Sequence, residues 1–278
     1  SRYLADRYGY DAWRGFTRSE AGHYPAHWRA FAATVLMAAA LPEAYGGLGG
    51  GPVDVMLVME EFGRRLVIEP FVPTVVIGGG LLQAVGSEAQ KADWLPRIAA
   101  AECRMAFAFA EAQGRYNLAD LTVTAKKEGD GYVLNGQKSV VLGAPWADRL
   151  IVTARTGGAR RETEGVSVFL VEKAAKGASV RDYAAMSGLR ASEIVFENSP
   201  GRLIGEDGAA LPLLNAVVDR AIAAHLAEAN GAIAVLMNST TEYAKTLKQF
   251  GQPIGKFQVL QRRMVDMFIA QQQAQSAS

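Results

Sequence analysis

Apolar spacing switches twice along this 278-residue chain, from a helical period to a strand period and back. That pattern excludes a uniform helical bundle or a lone sheet and calls for at least two kinds of layer. Up to about residue 104 the period is helical. Trp28, Phe31 and Val35 recur three or four apart and predict one helix face. Pro52 opens a second helix, with Asp54 in its first turn at the positive end of the dipole. Val55, Val58, Met59, Phe62 and Leu66 form its apolar stripe. Ser87 and Gln90 have capping-box spacing, and Pro96 is expected to close the helix they start.

From about residue 105 the segments 122–127, 132–134, 138–142, 149–155, 166–171, 179–183 and 193–196 read as short strands. Asp130-Gly131 and Asn135-Gly136 punctuate them as hairpin signals, because these residues tolerate the positive φ of a type I′ turn. Short strands at regular spacing predict a compact antiparallel barrel or sandwich. After Asp207-Gly208 the helical period returns. After Pro212, residues 213–247 contain no further proline and one glycine, Gly231, so a single very long helix is expected. Gly251, Pro253 and Gly255 break it, and a last helix runs to the end with Phe257, Leu260, Met264, Met267 and Phe268 on one side. The fold class is thus α+β and multidomain: a helical domain (1–104), a central antiparallel β-barrel (105–205) and a long-helix domain (206–278). Two helices alone bury only part of their apolar surface, so the last domain reads as an incomplete bundle. Further helices after residue 278 are the favoured explanation, and a covering partner is the other.

Composition narrows the function classes. With 29 Lys and Arg against 28 Asp and Glu, the chain has no field to attract polyanions, which argues against nucleic-acid binding. Half of its residues are hydrophobic and 21% are charged, which excludes wholesale disorder. The single cysteine, Cys103, excludes an internal disulfide and reads as a small buried residue; a cytoplasmic location is expected. The first residues are charged throughout and no apolar run is long enough for a bilayer, so no membrane insertion is expected.

Isolated motifs carry little chemistry. The glycines at 46, 47 and 49–51 precede a helix, but no strand leads into them and no Lys-Ser/Thr follows, so they read as a tight turn rather than a phosphate cradle. Gly78, Gly79 and Gly80 read as a site of close helix packing. His23, His27 and His225 lack metal-ligand spacing, so no metal site is expected. No Gly-x-Ser-x-Gly elbow supports a serine hydrolase. Asp219-Arg220 reads as a solvated pair.

The order of six fragments is more specific. Leu41-Pro42-Glu43-Ala44-Tyr45-Gly46-Gly47 resembles the L-P-E-x-Y-G-G signature of acyl-CoA dehydrogenases. Met59-Glu60-Glu61-Phe62-Gly63 resembles their M-E-E-L-G, and Gly86-Ser87-Glu88-Ala89-Gln90-Lys91 their G-S-x-x-Q-K, followed by Leu95-Pro96 for L-P. Leu134-Asn135-Gly136-Gln137-Lys138 resembles L-N-G-x-K, and Lys248-Gln249-Phe250-Gly251 through Phe257-Gln258 resembles K-x-F-G…F-Q. The resemblance runs across nearly the whole chain and implies a helix–barrel–helix flavoprotein that binds FAD between the barrel and the later helices. It implies oxidation of the Cα–Cβ bond of an acyl-CoA thioester: a carboxylate takes the α-proton and the β-hydrogen leaves as hydride to the flavin. It also implies a homo-oligomer (dimer or tetramer) or hetero-oligomer, with electron-transfer flavoprotein as an electron acceptor.

Carried over residue by residue, the resemblance puts Phe109, Ala110, Val140, Val141, Leu142, Phe250 and Gln258 on the cofactor side, and Arg190 and Ser192 on the CoA side. The sequence also departs from the pattern. The T-E-P-x-x-G-S-D loop is Ala110-Glu111-Ala112-Gln113-Gly114-Arg115-Tyr116 here, without the threonine. The M/x-W-I-T run is Ser139-Val140-Val141-Leu142. The arginine before K-x-F-G is Leu247, leaving Lys245 or Lys248 as nearby cations. Weaker FAD binding than usual is therefore implied. The family's usual catalytic glutamate lies after the last residue of this chain; the other position some members use, on the long helix, holds Ala221, and Glu228 is out of register. The catalytic residue is thus left unassigned. A non-catalytic partner subunit, or a related flavin oxidase or monooxygenase, are the competing readings.

Overall fold

The computed structural model describes residues 2–277. Helices α1 (Arg2–Arg7), α2 (Tyr10–Arg18), α3 (Pro25–Ala33), α4 (Pro52–Arg65), α5 (Gly80–Val85) and α6 (Glu88–Ala99) come first, with a π-helical run, Val72–Gly79, leading into α5. Seven strands follow: β1 (Met105–Ala108), β2 (Thr124–Glu128), β3 (Gly131–Leu142), β4 (Arg149–Arg155), β5 (Val166–Glu172), β6 (Ala178–Ala184) and β7 (Arg190–Ile204). The chain then forms α7 (Leu211–Thr246), a two-stranded ribbon of β8 (Lys248–Gln249) and β9 (Gln252–Pro253), and α8 (Gln258–Ala277). These elements fall into two compact units. One comprises residues 2–13, 53–67 and 222–277; the other comprises Arg14–Pro52 and Ile68–Ala221.

The second unit holds the barrel. Strand β4 pairs antiparallel with β5, β5 with β7, β7 with β3 and β3 with β2, and β2 returns to β4 through Thr124 and Arg155. Five strands thereby close, with β1 added beside β4 and β6 beside β7. The barrel is antiparallel except where β4 meets β1 and β2, which run parallel to it. Neither is joined to β4 by a hairpin, so the chain has the length a parallel crossover needs. Inward side chains such as Ala106, Val123, Leu134, Val152, Phe169 and Phe196 fill the interior. The same unit shows why some glycines are there. A Cβ on Gly47 would strike the Leu41 carbonyl, and one on Gly78 would lie 2.7 Å from the Met105 sulfur. Both fit the turn and packing readings.

The local expectations fail in instructive places. Asn135-Gly136 is not a turn: 132–134 and 138–142 belong to the one strand β3, and this dipeptide sits at a register shift against β7. Gly136 takes φ +132, and a Cβ there would lie 2.9 Å from Val123 Cα, so the glycine serves a bulge. The hairpin that does form joins Glu128 to Gly131 with Gly129-Asp130 as its loop, one residue earlier than the Asp-Gly signal, with Gly129 at φ +58. Val35 and Leu66 lie beyond α3 and α4, exposed and at positive φ, so each ends the helix it was expected to extend. Pro96 lies inside α6, which continues to Ala99. Proline there forfeits one helix hydrogen bond, while Trp94, Leu95 and Ile98 around it are buried. The Ser87–Gln90 capping box is present in both directions.

In the first unit, α4 and α7 approach through glycines. A Cβ on Gly63 would strike the Glu228 carbonyl of α7, and one on Gly231 would strike the Glu60 carbonyl of α4. The two backbones touch where side chains would hold them apart. Helix α8 has no buried residue among those described, and Val259, Val265, Phe268 and Ile269 are exposed. No described helix is long and apolar enough to cross a membrane.

Candidate functional site

Lys138 is the least expected residue of the barrel. On β3, Leu134 and Val141 enter the core, and Lys138 points inward with them, its side chain 0% exposed. An ammonium can be buried only if its donors are satisfied. All three of its N–H bonds are used. Nζ donates to Glu111 Oε1 (2.8 Å), Thr153 Oγ1 (3.0 Å) and the Phe109 carbonyl (3.1 Å). Burial still pushes the Lys138 ammonium down to about 8, against the upward pull of Glu111.

Glu111 is equally committed. Its carboxylate accepts from Thr122 N (2.7 Å), Val123 N (3.2 Å), Gln113 Nε2 (2.8 Å) and the Thr122 hydroxyl, besides Lys138. Burial alone would raise this carboxyl, but the Lys138 charge and the hydrogen bonds from Lys138, Thr122 and Gln113 outweigh it and hold it below its ordinary value. The pair therefore joins the segment after β1 to β2, β3 and β4 from within.

Directly after Lys138 the strand bulges. Ser139 N donates to the Ala110 carbonyl (2.8 Å), so this residue pairs with the segment leaving β1 rather than with β7. Val140 takes φ +52, a genuine outlier for a β-branched residue. Such strain clusters at functional sites and bulges re-aim side chains there. Glu193 on β7 holds the bulge, accepting from Val140 N (3.2 Å), Gln137 Nε2 (3.2 Å) and the Tyr183 hydroxyl (3.1 Å). Burial raises the Glu193 carboxyl, yet hydrogen bonds from Ser139, Val140, Gln137 and Tyr183 bring it below its ordinary value.

The outcome is an apolar shelf at one end of the barrel. Val140 is 55% and Leu142 47% exposed. Phe109 and Ala110 are half-buried beside the bulge, with Phe109 stacked on Phe107 at 4.9 Å between ring centroids. Four cofactor-side candidates thus share this end of the barrel. Val141 does not join them: its side chain is buried in the barrel core, because alternation puts the residue between Val140 and Leu142 on the inner face.

The two CoA-side candidates lie in different surroundings. Ser192 is fully buried and donates its hydroxyl to Asp182 (2.6 Å) across the β6–β7 pair, so it offers nothing to a ligand. Arg190 is half-buried. Its Nη2 donates to the Ser19 carbonyl (2.8 Å), and its stem lies where a side chain on Gly22 would be. In the other unit, Phe250 and Gly251 form the turn between β8 and β9, both at positive φ (52 and 78), as a type I′ turn requires. That turn holds Phe250 92% exposed, edge-on to Phe257. Gln258 is exposed at the start of α8. Lys245 pairs with Glu242 (2.7 Å), and Lys248 is exposed.

Ala221 is buried. Glu228 pairs with His225 Nδ1 (2.8 Å). Cys103 is buried, and burial, with Asp148 nearby, pushes its thiol up to about 12, so it is no nucleophile. No group of three or more His, Cys, Asp or Glu able to hold a metal occurs among the described residues.

Three family models match the chain in order. They are the acyl-CoA dehydrogenase N-terminal domain on residues 10–102, the middle domain on 106–199 and the C-terminal domain on 214–278. The solved structure of the Tcur3481-Tcur3483 steroid ACAD variant superposes with a TM-score of 0.85 at 30% identity, covering 99% of this chain and 74% of that one. The chain belongs to the acyl-CoA dehydrogenase family. Another solved structure, PigA with FAD and proline, superposes with a TM-score of 0.89 at 28% identity, covering 98% of this chain and 73% of that one. Among curated relatives, a 3-(aryl)acrylate reductase of Clostridium sporogenes is 32% identical over 82% of this chain and 62% of its own length. The chain thus spans about three fifths of such a relative. Acyl-CoA dehydrogenase family membership accounts for the order of the six sequence fragments, and for the helix–barrel–helix succession.

The site's electrostatics set a pH dependence. Glu111 and Glu193 titrate below their ordinary 4.5 in the folded chain, so the folded state binds their protons less tightly than the unfolded state. The stability they confer is complete above about pH 4.5 and is lost as pH falls through the folded values. Thermal unfolding is therefore expected at a lower temperature at about pH 3.5 than at about pH 7. An acid limb that is unchanged in Glu193→Gln would contradict this assignment.

Proposed function

We propose that this chain is part of an FAD-dependent oxidoreductase that dehydrogenates the Cα–Cβ bond of an acyl-CoA thioester, working as a cytoplasmic oligomer. The observation that carries the reading is the shelf of Phe109, Ala110, Val140 and Leu142, set on a strained bulge at the position where the family resemblance places the flavin. These residues fit a flat aromatic ring system: they are apolar, exposed or half-buried, and seated on a closed barrel. FAD, when bound, supplies the hydride acceptor. The chain's own part is to seat the ring, exclude water from its face and fix its edge. Ala110 and Leu142 offer no hydroxyl where the family pattern has threonine, so the seat relies on packing and backbone N–H groups. Phe250 and Gln258 are proposed as contacts to FAD, and Arg190 to the CoA side. Electron-transfer flavoprotein is the proposed electron acceptor.

The α-proton needs a base, and no residue of this chain is assigned that task. Ala221 at the long-helix position favours a second reading, in which the chain completes the flavin site of a partner subunit that carries the carboxylate. Anaerobic addition of a panel of acyl-CoA thioesters to the FAD-loaded protein separates these. Bleaching of the flavin band by at least one thioester is the expected result. No bleaching by any thioester, with FAD bound, would overturn the dehydrogenase reading for the chain alone. Recovery of bleaching on adding a partner would then establish the second.

A further inference from the structure

We propose that Lys138, through its buried pair with Glu111, is a positioning residue that holds the shelf in the geometry that receives the flavin ring. The inference rests on the flavin reading above and goes beyond it by assigning the shelf's shape to two residues that do not belong to its surface.

Three observations converge. The Lys138 donors reach three separate parts of the barrel: the Phe109 carbonyl at the rim, Glu111 just after it and Thr153 on β4. Phe109 and Ala110 form the shelf's first half, so a direct bond from Lys138 sets one carbonyl of that half. Val140 and Leu142, which follow Lys138 in sequence, form the second half, and Ser139 N between Lys138 and Val140 binds the Ala110 carbonyl. Each half is therefore fixed to the other from both ends: inside by the ammonium, outside by the Ser139 amide. Glu111 then ties the same loop to Thr122 and Val123, just before β2.

The second argument is strain. Val140 keeps φ +52 although a β-branched residue disfavours it, so the surroundings must over-determine the bulge. Glu193 holds Val140 N directly, and on the other side Ser139 N is held by the Ala110 carbonyl, next to the Phe109 carbonyl that Lys138 binds. A buried ion pair is weak support for stability, since well-packed apolar residues often replace one without loss. Geometric specification is the role that this leaves.

The test uses the whole chain and FAD itself. Lys138→Met and Glu111→Gln each leave one buried partner uncompensated and can fail to fold. The decisive variant is therefore the double replacement K138M/E111Q, which removes both charges, with Thr153→Val as a milder probe. Three measurements are made on each: thermal unfolding, amide hydrogen exchange at Ser139 and Val140, and FAD affinity with the absorption band shape of bound flavin. In the double variant the unfolding temperature is expected to fall by a few degrees, because the new amide nitrogen cannot accept from Val123 N as Glu111 Oε1 does, while the chain still folds. Exchange at Ser139 should rise at least tenfold, FAD affinity should fall at least tenfold, and the bound-flavin band should lose fine structure. Thr153→Val should shift exchange and affinity in the same direction by a smaller factor. Parent-like exchange at Ser139 in the folded double variant would overturn the positioning role even if FAD binds. Raised exchange with unchanged FAD affinity and band shape would overturn the link to the flavin. A parent that binds no FAD would overturn the flavin reading itself, and this proposal with it.

Discussion

Gly231→Val is expected to destabilise the protein by at least ~3 kcal/mol and to lower its unfolding temperature by roughly 10 °C. The cause is local and geometric. A Cβ at Gly231 falls on the Glu60 carbonyl and lies 2.9 Å from Arg64 N, both backbone atoms of α4, which cannot rotate away as a side chain would. Gly63 repeats the condition from the opposite helix, against the Glu228 backbone. Relief requires the two helices to separate, which opens the packing around Met59 and Phe62, both buried. Valine adds a second branch and a helix-entropy cost to the clash. Gly15→Ala is the matched control. Gly15 lies within α2 with no atom within 4 Å of the place a Cβ would take, so the change should be neutral or stabilise by ~0.5–1 kcal/mol. Melting of the two variants by circular dichroism checks the contrast. Equal unfolding temperatures would refute the close crossing.

How far the sequence led depends on the range of the physics involved. The 36-residue α7 was legible because nothing interrupts its period except Gly231, and that glycine turns out to serve a neighbour rather than a break. Most strands were legible for the same reason, and the 149–155 segment matches β4 end to end. Asn135-Gly136 misled because positive-φ tolerance is shared by turns and bulges; only the partner strand decides between them. Val35 and Leu66 misled because apolar spacing continues one or two residues past the last residue of the helix.

At the candidate site the family resemblance carried most of the reading. It brought Phe109, Ala110, Val140 and Leu142 to one end of the barrel but could not separate Val141 from them, since core and shelf alternate within three residues. Ser192 looked available in sequence and is sealed by a hydrogen bond to Asp182, a strand partner. The Lys138–Glu111 pair went unread although both residues lie inside family motifs. One signal was present. Lys138 shares a two-residue period with Leu134, so the strand pattern places a charge on the inner face, and a buried ammonium requires a carboxylate. Which carboxylate depends on a contact between residues 27 apart in sequence.

Leu142→Glu carries the largest expected effect on binding. Leu142 is 47% exposed at the end of β3, so the new side chain can reach water in the free protein and leave the barrel folded. Against a seated ring system the carboxylate would be desolvated without a partner, a cost of ~3 kcal/mol, which is about a hundredfold in affinity. Lys126→Glu, exposed on β2 where it pairs with Val133, introduces a carboxylate towards the other end of β3. Titration of FAD into the parent and these two variants, followed by flavin fluorescence, tests most directly whether the barrel-end shelf receives the cofactor. The expected result is saturable binding by the parent, parent-like affinity for Lys126→Glu, and about a hundredfold loss for Leu142→Glu with its unfolding temperature unchanged. FAD bound by Leu142→Glu within twofold of the parent would contradict it.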